Sequence, residues 1–441
     1  MFGVKSKPVV ILAWIFVAIM ALLPFHAVLS TWAISNFGHV TLFKAWKELL
    51  LFFVAAPLLA WILYTDEAIR KKIFSSRINL LILLFAGLAL LMIPLTDNGK
   101  KAELAGLVFN LRFLGMFILA QVLALKFVKD SFREFTLRII FFGGMFVVAF
   151  GTLQVLLLPH DFLRHLGYQK DIIPPYFTVD NNQNYIRIIS TLRGPNALGA
   201  YLVFWLPFLA LVTKRMWNVA TKYRVYAAGI WAMSLITLFG SRSRSAWIGV
   251  LLAGCTLVFL QANAAWRKKL ALAAGVGLIV VVAAIALGWN TTFVQTNIRH
   301  HDPTDVSKVD SDVQHQSSLS IAVQRIKDNP LGTGVGSANL ASTYGNKPNI
   351  VENYYLQVAE EVGIFGLLVF VAILVLVAMK LWQLRQHDIA AALLAGFVGI
   401  AFVNLLLPAW GDETLSMLWW GMAGLIMFAK ISTKHNKSAK V

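Results

Sequence analysis

Long apolar runs alternate with short polar connections along the whole chain. A run of about 18 or more apolar residues is long enough to cross the hydrocarbon core of a bilayer as a helix. The pattern predicts an all-α polytopic membrane protein of about twelve transmembrane helices, at 8–31, 45–64, 79–96, 103–125, 137–159, 196–213, 225–240, 245–262, 270–289, 355–380, 389–407 and 414–430. We therefore expect one membrane domain over residues 1–441.

Two connections are much longer than the others, at about 160–195 and 290–354. Long ordered loops often carry function. Within the second, residues 317–327 alternate polar and apolar positions at helical spacing. This pattern predicts a short amphipathic helix, of a kind that can lie along a membrane surface. We expect the active site on these two loops.

Composition agrees with a membrane protein, since 58% of the residues are hydrophobic and 14% charged. The formal charge of +18 could indicate a nucleic-acid partner, but the basic residues cluster in alternate short loops and at both ends of the chain. By the positive-inside rule that face is cytoplasmic. We expect an inner-membrane protein with both termini in the cytoplasm and no nucleic-acid partner. Cys255 is the only cysteine, so a disulfide within the chain is excluded.

The first candidate site closes the first long loop. Arg187 and Arg193 stand six residues apart, just before a helix entered through Pro195 and Asn196. Guanidinium groups bind phosphate oxygens in pairs, and a helix N-terminus adds donors for an anion. The alternative is contact with lipid headgroups.

The second candidate is the short turn Gly240-Ser-Arg242-Ser-Arg244-Ser-Ala-Trp247. Two arginines in a short outer turn oppose the usual charge bias, which favours a functional requirement. Arginines and serine hydroxyls together suit a phosphate or a sugar, although an ordinary solvated turn remains the alternative.

The third candidate is Glu352-Asn353, at the end of the larger loop. A carboxylate at the membrane surface can take a proton from an acceptor hydroxyl. The alternative is a capping box in which Asn349 is the N-cap and Glu352 its partner.

Three other features of the sequence give weaker evidence for a functional site. The glycines of Gly332-Thr-Gly334-Val-Gly336 lack the strand before them and the Lys-Ser/Thr pair of a nucleotide loop. His300, His301, Asp302 and Asp305 are adjacent in sequence, which is a poor metal signature, so we expect no metal and no cofactor. Arg112 lies inside a predicted span, where it pairs with a carboxylate or lines a cavity for a lipid phosphate. It is the one clear charge at the midplane, and no internal repeat is evident, which disfavours the alternative of a transporter or flippase.

Four motifs in this order resemble the O-antigen ligase and polymerase superfamily. They are Arg187-x-x-Ser-Thr-x-x-x-Pro-Asn196-Ala-Leu, Ser-Arg244-Ser-Ala-Trp-x-Gly, Asp328-Asn-Pro-Leu-Gly-x-Gly-x-Gly, and Glu352-Asn353-x-Tyr-Leu-Gln before Glu361-x-Gly-Ile-Phe-Gly. Their order and the predicted topology agree over nearly the whole chain. One position departs, because ligases of this family usually have a histidine where this chain has Glu352.

The resemblance implies a metal-independent, inverting glycosyltransferase that uses an undecaprenyl-diphosphate-linked glycan outside the cytoplasmic membrane. It implies lipid A–core as acceptor for a ligase, or a growing lipid-linked glycan for a polymerase. Arg187 and Arg244 would bind the donor diphosphate, with Glu352 as base. We expect Arg193, Arg242, Asn196, Asn353 and Arg112 to contact substrate, and membrane lipids to be further partners.

The charge asymmetry gives a direct test of topology. In a Cys255→Ser background, a membrane-impermeant maleimide should label Ser311→Cys in intact spheroplasts, because residues 290–354 are expected outside. Ser75→Cys, in a basic loop, is the matched control and should react only after the inner membrane is permeabilised. The reverse pattern would contradict the orientation.

Overall fold

The computed structural model describes residues 6–127, 130–179, 182–217, 219–263, 265–267, 269, 287, 291, 311–345 and 347–429. These residues are mostly helical. The α-helices, in chain order, are α1 Lys7–Leu22, α2 His26–Phe37, α3 Val40–Leu49, α4 Ala56–Thr65, α5 Glu67–Phe74, α6 Arg77–Leu95, α7 Lys100–Lys126, α8 Asp130–Leu156, α9 Pro195–Trp217, α10 Thr221–Ser241, α11 Arg244–Gln261, α12 Ser311–Asp328, α13 Asn339–Ser342, α14 Tyr354–Gln383, α15 Asp388–Val403 and α16 Glu413–Phe428.

The chain is a multi-pass membrane protein. Eight helical segments within the described residues are long and apolar enough to span a bilayer, and α15 is apolar but shorter. The predicted count of about twelve is thus not confirmed. Helices do occur at eleven of the twelve predicted places, and the twelfth, 270–289, lies outside the described residues. The difference arises because α15 and α16 have 16 residues each, and because α10, although it has 21 residues, is less apolar than the eight spans.

The first two spans are interrupted. Between α1 and α2, residues Leu23–Phe25 form a single 3-10 turn that contains Pro24. Proline lacks the N–H that would continue the α-helical ladder, so a break at this position is expected. A π-helical stretch, Leu50–Ala55, separates α3 from α4 directly after Lys47 and Glu48. Such stretches inside spans are frequently found at functional sites.

Close helix packing forms the bundle. Gly249 of α11 faces Gly399 of α15, and a Cβ atom added at either glycine would meet the backbone carbonyl oxygen of the other. Gly424 of α16 packs in the same way against the Phe117 carbonyl of α7. Small residues at such contacts let helix backbones approach closely, which is the main source of packing energy within a bilayer.

The connection between α8 and α9 adds a feature that the all-α prediction missed. Strands β1 Phe177–Val179 and β2 Asn182–Arg187 form an antiparallel hairpin in which Phe177 pairs with Arg187. The strands are too short for the alternation of apolar and polar residues to stand out from a polar loop.

The predicted amphipathic helix at 317–327 is confirmed and is longer, since it forms α12. Ala322 of this helix is buried against Ala338 and Val351, and the Ser318 hydroxyl donates to the carbonyl oxygen of Ile350 (3.0 Å). Ala322 of α12 therefore packs on protein, whereas the neighbouring Ile321 and Val323 are exposed.

At the basic end of the bundle, Asp66 joins two spans. Its carboxylate caps α5 by accepting from the Ile69 N–H (3.0 Å), and it accepts from the Lys126 ammonium at the end of α7 (2.7 Å). The hydrogen bond from Lys126 lowers the pKa of the Asp66 carboxyl, so the ion pair persists through the neutral range.

Candidate functional site at the arginine-bearing end

Arg187 ties three chain segments together at the end of the bundle opposite the basic loops. Its Nε donates to the Ser241 carbonyl at the end of α10 (3.0 Å), and its Nη2 donates to Asn196 Oδ1 at the start of α9 (2.7 Å). The N–H of Ile188 extends the contact to the carbonyl of Gly240 (3.1 Å). The hairpin therefore docks on the turn between α10 and α11.

Arg242 holds this turn in shape. Its φ of 47° lies in the left-handed region, which a non-glycine residue adopts at some energetic cost. The side chain donates from Nε to the Ile186 carbonyl (3.2 Å) and stacks over the Tyr185 ring (5.3 Å to the centroid). Two strong contacts with the hairpin thus compensate the unusual backbone.

Two helix N-termini meet beside the arginines. Helix α11 begins at Arg244, with Ser243 as its N-cap residue, and Gly199 near the start of α9 packs directly on Ser243. The Ser243 side chain makes no capping hydrogen bond to the α11 backbone. The first N–H groups of a helix carry partial positive charge, so α9 and α11 both direct donors toward this end.

Arg193 lies deeper in the bundle, on a segment that descends from the hairpin. The Thr191 hydroxyl donates to the Pro24 carbonyl (2.6 Å), and the Thr414 hydroxyl donates to the Leu23 carbonyl (3.1 Å). The break between α1 and α2 lies about half-way along a 31-residue helical segment. The segment that carries Arg193 and the start of α16 therefore both contact the bundle well below the end of the first span.

The same depth brings Arg193 to Asp412, the N-cap residue of α16. Arg193 Nε donates to Asp412 Oδ2 (3.0 Å), while Oδ1 accepts from the Leu415 N–H (3.1 Å). Asp412 thus has both oxygens occupied, one by the helix and one by the arginine. Its position fixes where the Arg193 guanidinium points.

Glu352 does not take part in the predicted capping box, so that alternative is wrong. Helix α14 begins at Tyr354, and its N-cap is Asn353, whose Oδ1 accepts from the Leu356 N–H (3.0 Å). Asn349 donates instead to Glu360 Oε1 (2.7 Å). Glu352 precedes the helix and is half-buried. The sequence could not distinguish Asn353 from Asn349 as the N-cap, because both asparagines lie just before the apolar run.

Loop 404–412 joins the Glu352 segment to the arginine segment. At one end the Asn353 amide donates to the Leu405 carbonyl (3.0 Å), and the Tyr354 N–H donates to the Asn404 carbonyl (2.9 Å). At the other end Asp412 holds Arg193. The loop therefore couples two motifs that are separated by about 160 residues of sequence.

Beneath the loop, Arg112 bridges two carboxylates from different helices. It donates to Glu48 Oε1 (2.7 Å), to Glu413 Oε2 (3.2 Å) and to the Gly411 carbonyl (2.7 Å). The sequence left open a carboxylate partner or a cavity for lipid phosphate. The geometry supports the first, because both carboxylates and a carbonyl already receive its donors.

Two further residues enlarge this buried cluster. The Lys47 ammonium lies 3.1 Å from Glu48 Oε2. His26 Nδ1 accepts from the Trp46 indole N–H (2.9 Å), and its Nε2 lies 3.1 Å from the Lys47 ammonium and 3.4 Å from Glu413 Oε1. The expectation that Arg112 is the one clear midplane charge is therefore wrong. Lys47 and Glu48 were overlooked because the apolar run after them dominated the helix prediction.

The glycine-rich segment serves packing and not phosphate binding. The N–H of Gly336 donates to Glu361 Oε1 (3.0 Å), and that of Gly334 to the Glu361 carbonyl (3.1 Å). Both glycines have positive φ, and a Cβ at Gly336 would collide with the Ala102 carbonyl of α7. The donors that would hold a phosphate are used internally, which agrees with the discounted nucleotide loop.

The motif residues thus form two connected groups. Arg187, Asn196, Arg242 and the turn before Arg244 lie together, and Arg193 connects through Asp412 to loop 404–412, which also holds Asn353. Asp412 and Glu413 were missed by sequence reasoning, although two adjacent carboxylates before an apolar run were a usable signal. The described residues contain no cluster of three potential metal ligands, and His300, His301, Asp302 and Asp305 lie outside them.

A family model described as O-antigen ligase matches residues 228–371. The match confirms the resemblance to the O-antigen ligase superfamily. It covers the turn at Arg242 and Arg244, the glycine-rich segment and Glu352-Asn353. The matched residues indicate a membrane protein of the O-antigen ligase and polymerase type and suggest a glycosyltransferase-like enzyme. No curated protein matches the chain.

Arg112 provides a test of the buried cluster. Arg112→Gln should lower the free energy of unfolding by about 3–5 kcal/mol, because two buried carboxylates lose their shared counter-charge. Adding Glu48→Gln should recover part of the loss, since Lys47 then balances Glu413. Thermal unfolding in detergent measures both.

The control for this test is Arg164→Gln, which removes an exposed ion pair with Asp161 and should change stability by less than about 1 kcal/mol. If Arg112→Gln is as stable as this control, the cluster does not hold the bundle together.

Proposed function

We propose that this protein transfers a glycan from undecaprenyl diphosphate to an acceptor hydroxyl on the extracytoplasmic face of the bacterial inner membrane, in the manner of an O-antigen ligase. The observation that carries the proposal is that Arg187, Arg242 and the turn before Arg244 lie together with two helix N-termini at one end of a ligase-type chain. Loop charge supports this orientation, because the basic loops lie at the other end.

The donor supplies its own activation. Attack on the anomeric carbon breaks its bond to the diphosphate oxygen, and the electron pair leaves with the diphosphate. Negative charge thus develops on the leaving group, where Arg187, Arg244 and the α11 N-terminus offer fixed donors. Because Arg187 and Arg242 are held by backbone carbonyls, their guanidinium groups need little reorganisation when that charge appears.

The acceptor hydroxyl must lose its proton as the new glycosidic bond forms. Glu352 is the base in this proposal, and it lies on the segment that loop 404–412 connects to Arg193. Direct attack opposite the departing diphosphate gives inversion at the anomeric carbon. The arginines supply the charge stabilisation that a metal ion supplies in other transferases, so the proposed reaction is metal-independent.

Lipid A–core is the acceptor in the ligase form of the proposal. The second candidate is a polysaccharide polymerase of the same superfamily, which would extend a lipid-linked glycan. Glu352 favours it, because ligases of the family usually carry histidine there. Both candidates use the same donor and the same arginines.

Arg244 gives the sharper test of the diphosphate site. Arg244→Ala should lower transfer about 10²–10³-fold, and Arg244→Lys should recover only part, because a point charge cannot reproduce paired hydrogen bonds to phosphate. Arg187→Ala should lose transfer to a similar extent and also some stability, because Arg187 cross-links β2, α9 and α10.

The assay uses purified protein, a lipid-linked glycan donor and an acceptor in detergent, without a membrane gradient. Product formation there excludes a transporter as the sole function. Arg164→Ala, at an exposed arginine of the same long loop, should keep the parental rate. An Arg244→Ala protein with the parental rate would contradict the diphosphate site.

Glu352 is tested separately from the arginines. Glu352→Gln should cause a large fall in turnover with nearly unchanged donor binding, because glutamine keeps the size but cannot accept the proton. Stability should hold, since Asn353 caps α14. Glu352→His should retain part of the activity, because imidazole is also a base near neutral pH.

Asp161→Asn is the matched control, a neutralised carboxylate in the other long loop, and should transfer at the parental rate. The measurements are transfer kinetics, donor affinity and thermal unfolding for all three variants. A fully active Glu352→Gln protein would end the general-base assignment and leave the arginine site standing.

A further inference from the structure

A cleft of about 580 Å³ opens at the basic end of the bundle, which is opposite to the arginine-bearing end. It lies between the turn joining α5 to α6, the last turns of α14 and the end of α16. Its volume falls within the range of small-molecule sites in proteins, roughly 300–1,000 Å³. We call it the basal cleft.

Three cations line the basal cleft, Lys72, Arg77 and Lys380, and its lining contains no acidic residue. None of the three has an ion-pair partner among the residues that the structure describes, whereas the neighbouring Lys71 pairs with Glu67 (2.7 Å). Three like charges around one concave surface repel one another unless an anion lies between them.

The position of Arg77 strengthens this argument. Lys72 and Lys380 occupy the last turns of α5 and α14, where a cation is favoured by the helix dipole alone. Arg77 is the first residue of α6, where the dipole disfavours a cation. The α6 N-cap, Ser76, makes no side-chain capping bond, so the first N–H groups of α6 add donors to the same surface.

The rest of the lining is apolar and continues toward the lipid-facing surface. Leu376, Met427 and Phe428 form part of the wall. Beside it, Leu80 of α6 and Val375 of α14 are about half exposed (51% and 50%) on the outside of the bundle. A soluble anion would gain nothing from these apolar surfaces, whereas an acyl chain would be removed from water along them.

We propose that the basal cleft binds one anionic phospholipid, with the headgroup phosphate between Lys72, Arg77 and Lys380 and an acyl chain along α6 and α14. Basic pockets between spanning helices on the cytoplasmic side are suited to such headgroups. The site is distinct from the donor diphosphate site, because the two lie at opposite ends of the helices.

The test compares phosphatidylglycerol with phosphatidylcholine by native mass spectrometry of the full-length protein in detergent. The parent should bind one phosphatidylglycerol at least about ten times more tightly than phosphatidylcholine. The triple variant Lys72→Gln, Arg77→Gln, Lys380→Gln should lose that preference. Its melting temperature in phosphatidylcholine micelles should match the parent, which shows that it is folded.

The control variant is Lys71→Gln, Lys222→Gln, Arg385→Gln, which removes three cations at the same end but outside the cleft, and it should keep the preference. Equal preference in the triple and control variants would overturn the site. A further measurement with inorganic phosphate alone distinguishes a soluble phosphate from a lipid headgroup as the bound anion. If it raises the melting temperature of the parent as much as phosphatidylglycerol does, and not that of the triple variant, the site takes a soluble phosphate and the lipid assignment is wrong.

Discussion

A charged side chain inside a bilayer has neither water nor free counter-ions around it, so the protein must supply its partners. Arg112 is 1% exposed and receives that compensation from Glu48 on α3 and Glu413 on α16. The three residues come from the second span, the fourth span and α16, the last helix among the described residues. This ion-pair bridge therefore decides which helices can be neighbours at the centre of the bundle.

The bridge also determines how deep loop 404–412 lies in the bundle. Since Arg112 donates to the Gly411 carbonyl, loop 404–412 is drawn down to it, and Asp412 is brought to the level of Arg193. A backbone loop at this depth would be costly if it faced lipid, because its polar groups would lack partners. Within loop 404–412 the Asn404 amide supplies one such partner, because its Oδ1 accepts from the Trp410 N–H (2.9 Å). The hydroxyls of Thr191 and Thr414 do the same for the carbonyls of Pro24 and Leu23 at the break between α1 and α2.

Much of this architecture follows from the sequence, for identifiable reasons. Apolar length located helices at eleven of the twelve predicted places, and the arginine motifs before Pro195 and Ala246 lie together at one end of the bundle. What the sequence could not show was pairing between distant positions. Arg112 gave no sign of Glu48 or Glu413, and two asparagines four residues apart gave no means to decide which one caps α14. The hairpin was missed because β1 has only three residues.

The break at Leu23–Phe25 has a consequence for how the protein is made. The carbonyls of Pro24 and Leu23 accept hydrogen bonds from the hydroxyls of Thr191 and Thr414, which lie 167 and 391 residues further along the chain. Spans enter the membrane in order during synthesis, so the earliest segment presents an incomplete docking surface until the last helix arrives. Arg112 and Glu48 must likewise share an unbalanced cluster until Glu413 joins them. Assembly of the arginine-bearing end is therefore among the final events of biogenesis. A nascent chain truncated before Asp412 contains every motif arginine but lacks Asp412, which positions Arg193, and Glu413, which pairs with Arg112.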